Sequence, residues 1–426
     1  PQVVVTHLSA EFIPRRAVGL VAESLAGFRV VVLHGARQVG KTTLARTLAA
    51  EIGATYATLD DADQRDVAQA DPPTFISAAG TPLVIDEVQR VGDPLVLAIK
   101  AQVDRHDQPG QFLITGSTNF LTVPSIAETL AGRADIVTLW PLSQGELRSG
   151  SDDFVDRAFD SPEQLLTSRH TPVDRASYFE ALCAGGYPAV QRMVARTRRR
   201  WFARYVETVL AREIELIADI RRAGALLSMI RYLAATTAQE LVLSTTANRV
   251  GIDRGTAQSY LPWLETVFLI HQVPAWSRNL TAKVVKRPKI YLTDTGIAAA
   301  LLAKDPTALT RPTEPATGAL FETFIANELA KQLTWSETPA RLYHFRDSDG
   351  AEIDLVLEAD DGRVLGIEVK ATSTPRSDDF HWLAQMRNRL DRAGGHFTGG
   401  LVLYTGQRRL PFGDRLTALP ASDLWS

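Results

Sequence analysis

Apolar positions in the first third of the chain fall into short, β-rich runs separated by longer stretches with helical spacing, the alternation of a parallel sheet wrapped by helices. The runs predict strands over 29–33, 55–59, 83–85, 111–115 and 136–139, enough for one doubly wound α/β domain. Residues 149–170 turn polar without a period and read as a linker or surface insertion. Beyond it, 175–220 is rich in Ala, Leu, Arg and Glu and predicts an all-helical lid, broken at Gly185-Gly186-Tyr187-Pro188. Three helical stretches (226–235, 244–250, 253–270) then precede strand-like 273–276 and 289–292, the order of a winged helix. A Pro- and Thr-containing segment, 305–315, leads into a last α/β module. That module predicts helix 318–332, strands 341–346, 353–358 and 364–370, helix 378–391 and strand 400–404. The expected domains are 1–148, 171–222, 223–304 and 316–426.

A length of 426 residues supports several cores, and 45% hydrophobic with 22% charged residues places the chain among ordinary globular proteins. The net charge of -3 neither demands nor excludes nucleic acid, since local patches decide that interaction. Cys183 is the single cysteine, which rules out an internal disulfide and fits a reducing cytoplasm. Apolar runs fall far short of the ~20 residues of a membrane span, and no signal peptide is visible after Pro1, so a cytoplasmic protein without membrane attachment is expected.

The first strand runs into Gly35-Ala36-Arg37-Gln38-Val39-Gly40-Lys41-Thr42 and then a helix beginning at Thr43, the context a phosphate-binding loop needs. Loop N–H groups and the positive helix end face phosphates, Gly35 and Gly40 permit close approach, Lys41 reaches the β and γ phosphates, and Thr42 offers a hydroxyl to Mg²⁺. ATP and Mg²⁺ are the expected ligands. A second signal is Leu83-Val84-Ile85-Asp86-Glu87, a buried strand ending in two acids. Asp86 would serve the metal and Glu87 would orient or deprotonate the attacking water. Thr115, Ser117 and Asn119 end the fourth strand as candidates for a γ-phosphate sensor, although turn chemistry explains such a cluster equally well. Arg133 is a candidate finger toward a neighbouring subunit's ATP, or else a solvated arginine.

These motifs, with 125–133 and Pro141-Leu142-Ser143, resemble the ATPase domain of a widespread prokaryotic AAA+ family whose members carry a C-terminal domain of unknown function. The Gly185 to Pro188 turn, Trp276, 289–296, 318–329 and Glu368 to Lys370 are similar to the second part of the same family. The resemblance implies ATPase activity and, by analogy with AAA+ proteins, a homo-oligomeric ring or partial ring.

Near the end of the chain, Asp354 on one strand and Glu368-Val369-Lys370 on the next give the layout of a PD-(D/E)xK nuclease-like fold. Alternation puts Glu368 and Lys370 on one face. Asp354 and Glu368 would bind Mg²⁺, Glu322 would complete the shell, and Lys370 would position water. A solvated charged face or a structural salt-bridge set fits the same residues. Arg254 and Gln258 occupy the start of a candidate DNA-recognition helix. Arg198-Arg199-Arg200 and the set Lys283, Lys286, Arg287 and Lys289 are basic patches for phosphates or plain solvated faces. Two functions follow: an ATPase acting on branched or single-stranded DNA, and a nucleotide-dependent switch or scaffold with a silent C-terminal domain that binds a protein.

Overall fold

The computed structural model describes residues 13–116, 129–167, 171–217, 223–277, 287–348 and 350–426, with the side chains of 212–217 and 223 left aside. The chain divides into two compact units. The first comprises Pro1–Leu142 with the short segments Tyr187–Ala189 and Thr266–Phe268; the second comprises Ser143–Gly186, Val190–Glu265 and Leu269–Ser426.

The first unit is built on a five-stranded sheet in the order β2-β3-β4-β1-β5, all parallel. Its strands are β1 (Val30–His34), β2 (Thr55–Thr58), β3 (Leu83–Asp86), β4 (Phe112–Thr115) and β5 (Ala134–Thr138). The helices are α1 (Ala17–Gly27), α2 (Lys41–Ile52), α3 (Ala62–Ala70), α4 (Pro72–Ala79) and α5 (Asp93–Arg105). All five expected strands are in place. The three central ones are buried almost throughout, as continuous apolar runs require when helices cover both faces. Helix starts follow local chemistry: Asp61 accepts the N–H groups of Asp63 and Gln64 to cap α3, and Asp71 with Pro72 opens α4. Val30, Val32, Ile85, Ile114, Leu95 and Ile99 share the core on one side of the sheet.

Strand order positions the site. Because β4 lies between β1 and β3, the end of β4 stands between the loop after β1 and the acids at the end of β3.

The second unit holds α6 (Gln144–Arg148), α7 (Phe154–Asp160), α8 (Arg175–Ala184) and α9 (Ala195–Ile217). There follow α10 (Ala223–Ala235), β6 (Gln239–Glu240), α11 (Leu243–Val250), α12 (Arg254–Thr266), β7 (Ile270–Val273) and β8 (Lys289–Leu292). The three strands pair antiparallel in the order β6-β8-β7. Next come α13 (Thr295–Leu301), α14 (Pro306–Leu309) and the long α15 (Ala316–Trp335). A six-stranded mixed sheet ends the chain, in the order β13-β14-β12-β11-β10-β9. It contains β9 (Ala340–Arg346), β10 (Glu352–Ala359), β11 (Arg363–Lys370), β12 (His396–Tyr404), β13 (Leu410–Pro411) and β14 (Leu416–Pro420). Helix α16 (His381–Arg392) lays Leu383, Met386 and Leu390 on it, against Ile353, Val364 and Val402.

One expectation is corrected here. Residues 149–170 are not a plain linker, because Phe154, Val155, Phe159 and Leu165 are buried and the N–H of Val155 donates to Gln332 on α15. The segment 305–315 includes α14, whose Leu309 is fully buried. Both segments are polar in composition, yet their few apolar residues find the core. Helix α15 is buried nearly all round, so its polar residues need internal partners. Glu328 accepts the N–H of Gln144 at 2.7 Å and the Lys331 ammonium at 2.6 Å, and Asn327 donates to the Leu292 carbonyl at 3.0 Å. Among the described residues, no helix is long and apolar enough to cross a membrane.

Candidate nucleotide site and the C-terminal acid cluster

The loop between β1 and α2 owes its shape to backbone conformations that ordinary residues avoid. Gly40, at φ 102°, caps α2, and Gln38 also takes a left-handed φ of 61°. At Gly35 a Cβ would come within 2.3 Å of the Leu139 carbonyl oxygen, so only glycine lets the loop lie against the end of β5. Lys41 opens α2 and is buried; its Nζ donates to the carbonyls of Gly35 and Ala36, each at 2.7 Å. Burial drives this ammonium down to about 8, against the support of Glu87 and Asp86.

Asp86 gathers three hydroxyls. Thr42 Oγ1 donates to its Oδ1 at 3.3 Å, Thr115 Oγ1 donates to the same oxygen in a short bond, and the Tyr56 hydroxyl donates to Oδ2 at 3.0 Å. Thr115 also accepts the N–H of Glu87 at 3.2 Å. Glu87 adopts φ 59°, unusual for a glutamate, and its carboxylate accepts the side-chain amide of Gln89. A hydroxyl beside a carboxylate is the hard oxygen pair that Mg²⁺ takes, so Thr42 and Asp86 fit this metal, with Lys41 and the loop amides of 35–43 for the phosphates.

Sequence reading thus placed Gly35 to Thr43, Asp86, Glu87 and Thr115 on one edge of the sheet, and the fold brings them together there. Ser117 and Asn119 lie outside the described residues. Arg133 is held by Asp104 on α5 in a two-pronged pair, at 2.5 and 3.1 Å. Two residues went unnoticed in the sequence. Tyr56 reaches Asp86 from the neighbouring strand, and Arg15, buried ahead of α1, donates to the carbonyls of Val39 at 2.7 Å and Trp140 at 2.6 Å. Neither carries a local signal, since their roles depend on strand order and on a contact spanning 125 positions.

Comparison with known proteins fits this geometry. The uncharacterized proteins Rv2008c of Mycobacterium tuberculosis and Mb2031c of Mycobacterium bovis are each 30% identical over 421 residues, covering 98% of this chain and 86% of theirs. The chain belongs to their family. Residues 27–148 match an AAA domain, 175–308 a domain of unknown function (DUF8612) and 317–424 another (DUF4143). Among solved structures, a Walker-type ATPase of Pyrococcus abyssi is 15% identical with a TM-score of 0.41, covering 68% of this chain and 96% of its own. The Holliday junction branch migration motor RuvB of Thermotoga maritima is 17% identical with a TM-score of 0.30, covering 62% and 90%. The first unit of this family member therefore has a P-loop ATPase fold of the AAA type.

The C-terminal acids form a second cluster. Glu322 on α15, Asp354 on β10 and Glu368 on β11 approach one another, and Lys370 Nζ lies 2.6 Å from Glu368. Burial, and then the Asp354 carboxyl, push Glu368 up to about 8. The surprise is Lys289. Expected in an exposed basic set, it is 2% exposed and donates to Glu322 at 2.9 Å. Its ammonium also lies 3.3 Å from Glu352 and 3.7 Å from Asp354. Burial opposes its charge, but the Glu322, Asp354 and Glu352 carboxylates outweigh it and hold its pKa above the ordinary value. Among the described residues, no group of three or more His, Cys, Asp or Glu side chains is placed to hold a metal ion. Of the acids expected in a metal shell, Glu322 and Asp354 stand beside the Lys289 ammonium and Glu368 pairs with Lys370. The sequence hint was Lys289 alternating with Tyr291 in an otherwise apolar strand.

Other basic candidates divide. Arg254 and Gln258 are exposed on α12. Lys283 and Lys286 lie outside the described residues, and Arg198 is occupied by the carbonyls of Val190 and Met193.

Proposed function

We propose that this chain is a Mg²⁺-dependent ATPase that assembles into a ring or partial ring and acts on DNA. The observation that carries the catalytic half is the Thr115 hydroxyl joining Asp86 to the backbone of Glu87. It holds the metal carboxylate and the water-facing glutamate in fixed relation. In this reading Lys41 leaves the carbonyls of Gly35 and Ala36 to meet phosphate oxygens, so its buried charge gains stronger partners. Bound Mg²⁺ supplies charge neutralisation at the phosphates. Glu87 takes the proton of the attacking water, and Gln89 orients its carboxylate. Arg133 would exchange Asp104 for a neighbouring subunit's nucleotide.

Contact with DNA rests on the order α10, β6, α11, α12, β7, β8, which we read as a winged helix with α12 as the recognition helix. Asp253 caps its start, and Arg254 and Gln258 present exposed side chains there. The experiment is an ATPase assay with and without branched and single-stranded DNA, paired with gel shifts across a salt series. A rate that survives Lys41→Ala unchanged would sink the first half; DNA affinity indifferent to salt and to Arg254→Ala would sink the second. The burial of Lys289 among the acids favours a second reading for the C-terminal module, in which it is catalytically silent and recruits a protein in a nucleotide-dependent manner.

A further inference from the structure

Each of the C-terminal acids already has a partner inside the cluster. One Glu322 oxygen receives both Lys289 Nζ at 2.9 Å and the Tyr291 hydroxyl at 2.8 Å. Asp354 turns one oxygen toward Lys289 and accepts the backbone N–H of Val369 with the other, at 2.8 Å. Glu368 is bonded to Lys370. Mg²⁺ sits ~2.0–2.1 Å from its carboxylate oxygens. Placed between Glu322 and Asp354, it would stand beside the Lys289 ammonium, and two like charges at that distance in a poorly solvated site repel strongly. The residues present do not fit a metal.

We infer that Lys289 is the resident cation of this cluster, a permanent internal counter-ion held by Glu322, Glu352 and Asp354 that keeps divalent metal out. The consequence is mechanical as well as chemical. Lys289 begins β8 of the three-stranded ribbon, Glu322 lies on α15, and Glu352 and Asp354 lie on β10 of the mixed sheet. One ammonium therefore ties ribbon, helix and sheet of the second unit together. The inference refines the silent-module reading, and it does not depend on the ATP site.

Two measurements on the whole chain, free of nucleotide, test it. In the first, Mn²⁺ is titrated calorimetrically into the wild-type chain and Asp354→Asn, so that metal bound near Asp86 cancels in the difference. Identical isotherms are expected; a binding event lost in Asp354→Asn overturns the inference. In the second, thermal melting is followed for Lys289→Met, Glu322→Gln and the double variant. Lys289→Met should melt more than ~5 °C lower, because it strands buried carboxylates. Glu322→Gln in the same chain should recover at least half of that loss, whereas additive losses would overturn the counter-ion role. Should Lys289→Met fail to fold, the Mn²⁺ comparison decides alone.

Discussion

Thr115 donates its hydroxyl to the carboxylate of Asp86 while accepting the backbone N–H of Glu87 at 3.2 Å. One side chain at the end of β4 thereby sets the spacing of Asp86, the last residue of β3, and Glu87, which follows it. Thr115→Val keeps the shape and removes both bonds, leaving a buried carboxylate one donor short and an N–H unpaired. Each loss is worth ~1–3 kcal/mol. Turnover of ATP should fall roughly 10- to 100-fold, with nucleotide affinity much less affected. Steady-state ATPase rates beside fluorescent-nucleotide titration would show the split.

Lys41 and Glu87 should separate binding from chemistry. Lys41→Ala removes the ammonium nearest the loop carbonyls and should abolish detectable nucleotide binding. Glu87→Gln keeps the size and the Gln89 contact but not the basicity, so it should bind ATP normally and turn over roughly 100- to 10,000-fold more slowly. Calorimetry with ATP and single-turnover hydrolysis would measure the two effects; equal binding by both variants would contradict the assignment.

Arg15 ties the loop after β1 to the segment after β5 through the carbonyls of Val39 and Trp140. Arg15→Met preserves bulk but loses two charge-assisted bonds, each worth ~1.5–3 kcal/mol. A lowered melting temperature and a raised KM for ATP with little change in kcat are expected, because the loop is loosened and the catalytic acids are untouched. A fall in kcat at constant KM would contradict the assignment.

Gly35→Ala places a Cβ 2.3 Å from the Leu139 carbonyl oxygen, and backbone cannot yield as a flexible side chain would. The variant should be destabilised by more than ~3 kcal/mol. Its urea midpoint should drop with an unchanged slope.

The His34 imidazole, at the end of β1, is pushed down to about 4 by burial and then by the Lys41 ammonium, from an ordinary value of 6.5. Between those two values the unfolded chain holds the extra proton, so stability falls as pH falls through that window and is fully present above 6.5. His34→Gln should flatten the acid side of the stability curve by roughly 1–3 kcal/mol, less than the full shift because the ring keeps some solvent contact. Urea midpoints of both proteins at pH values across the window would show it.

Local grammar accounts for what was legible beforehand. The glycine loop after Val30 to Leu33, the acids closing Leu83 to Ile85 and the helix expected from Thr43 depend on neighbours within a few positions. Strand alternation likewise put Glu368 and Lys370 on one face. The segment 149–170, expected as a linker or surface insertion, is polar on average, and average polarity conceals the few buried residues that anchor it.

What the chain alone determined was the inventory of the nucleotide site and the sequence of its elements, because phosphate-binding loops and strand-end acids are set by backbone geometry over short distances. Tertiary structure alone decided which charges meet. It inserted β4 between the two halves of the site and gave Thr115 its task, drew Tyr56 and Arg15 in from afar, and turned Lys289 from an exposed cation into the centre of an acid cluster. Such partners are chosen by strand order and by the cost of burying unpaired charge, neither of which is written at any single position.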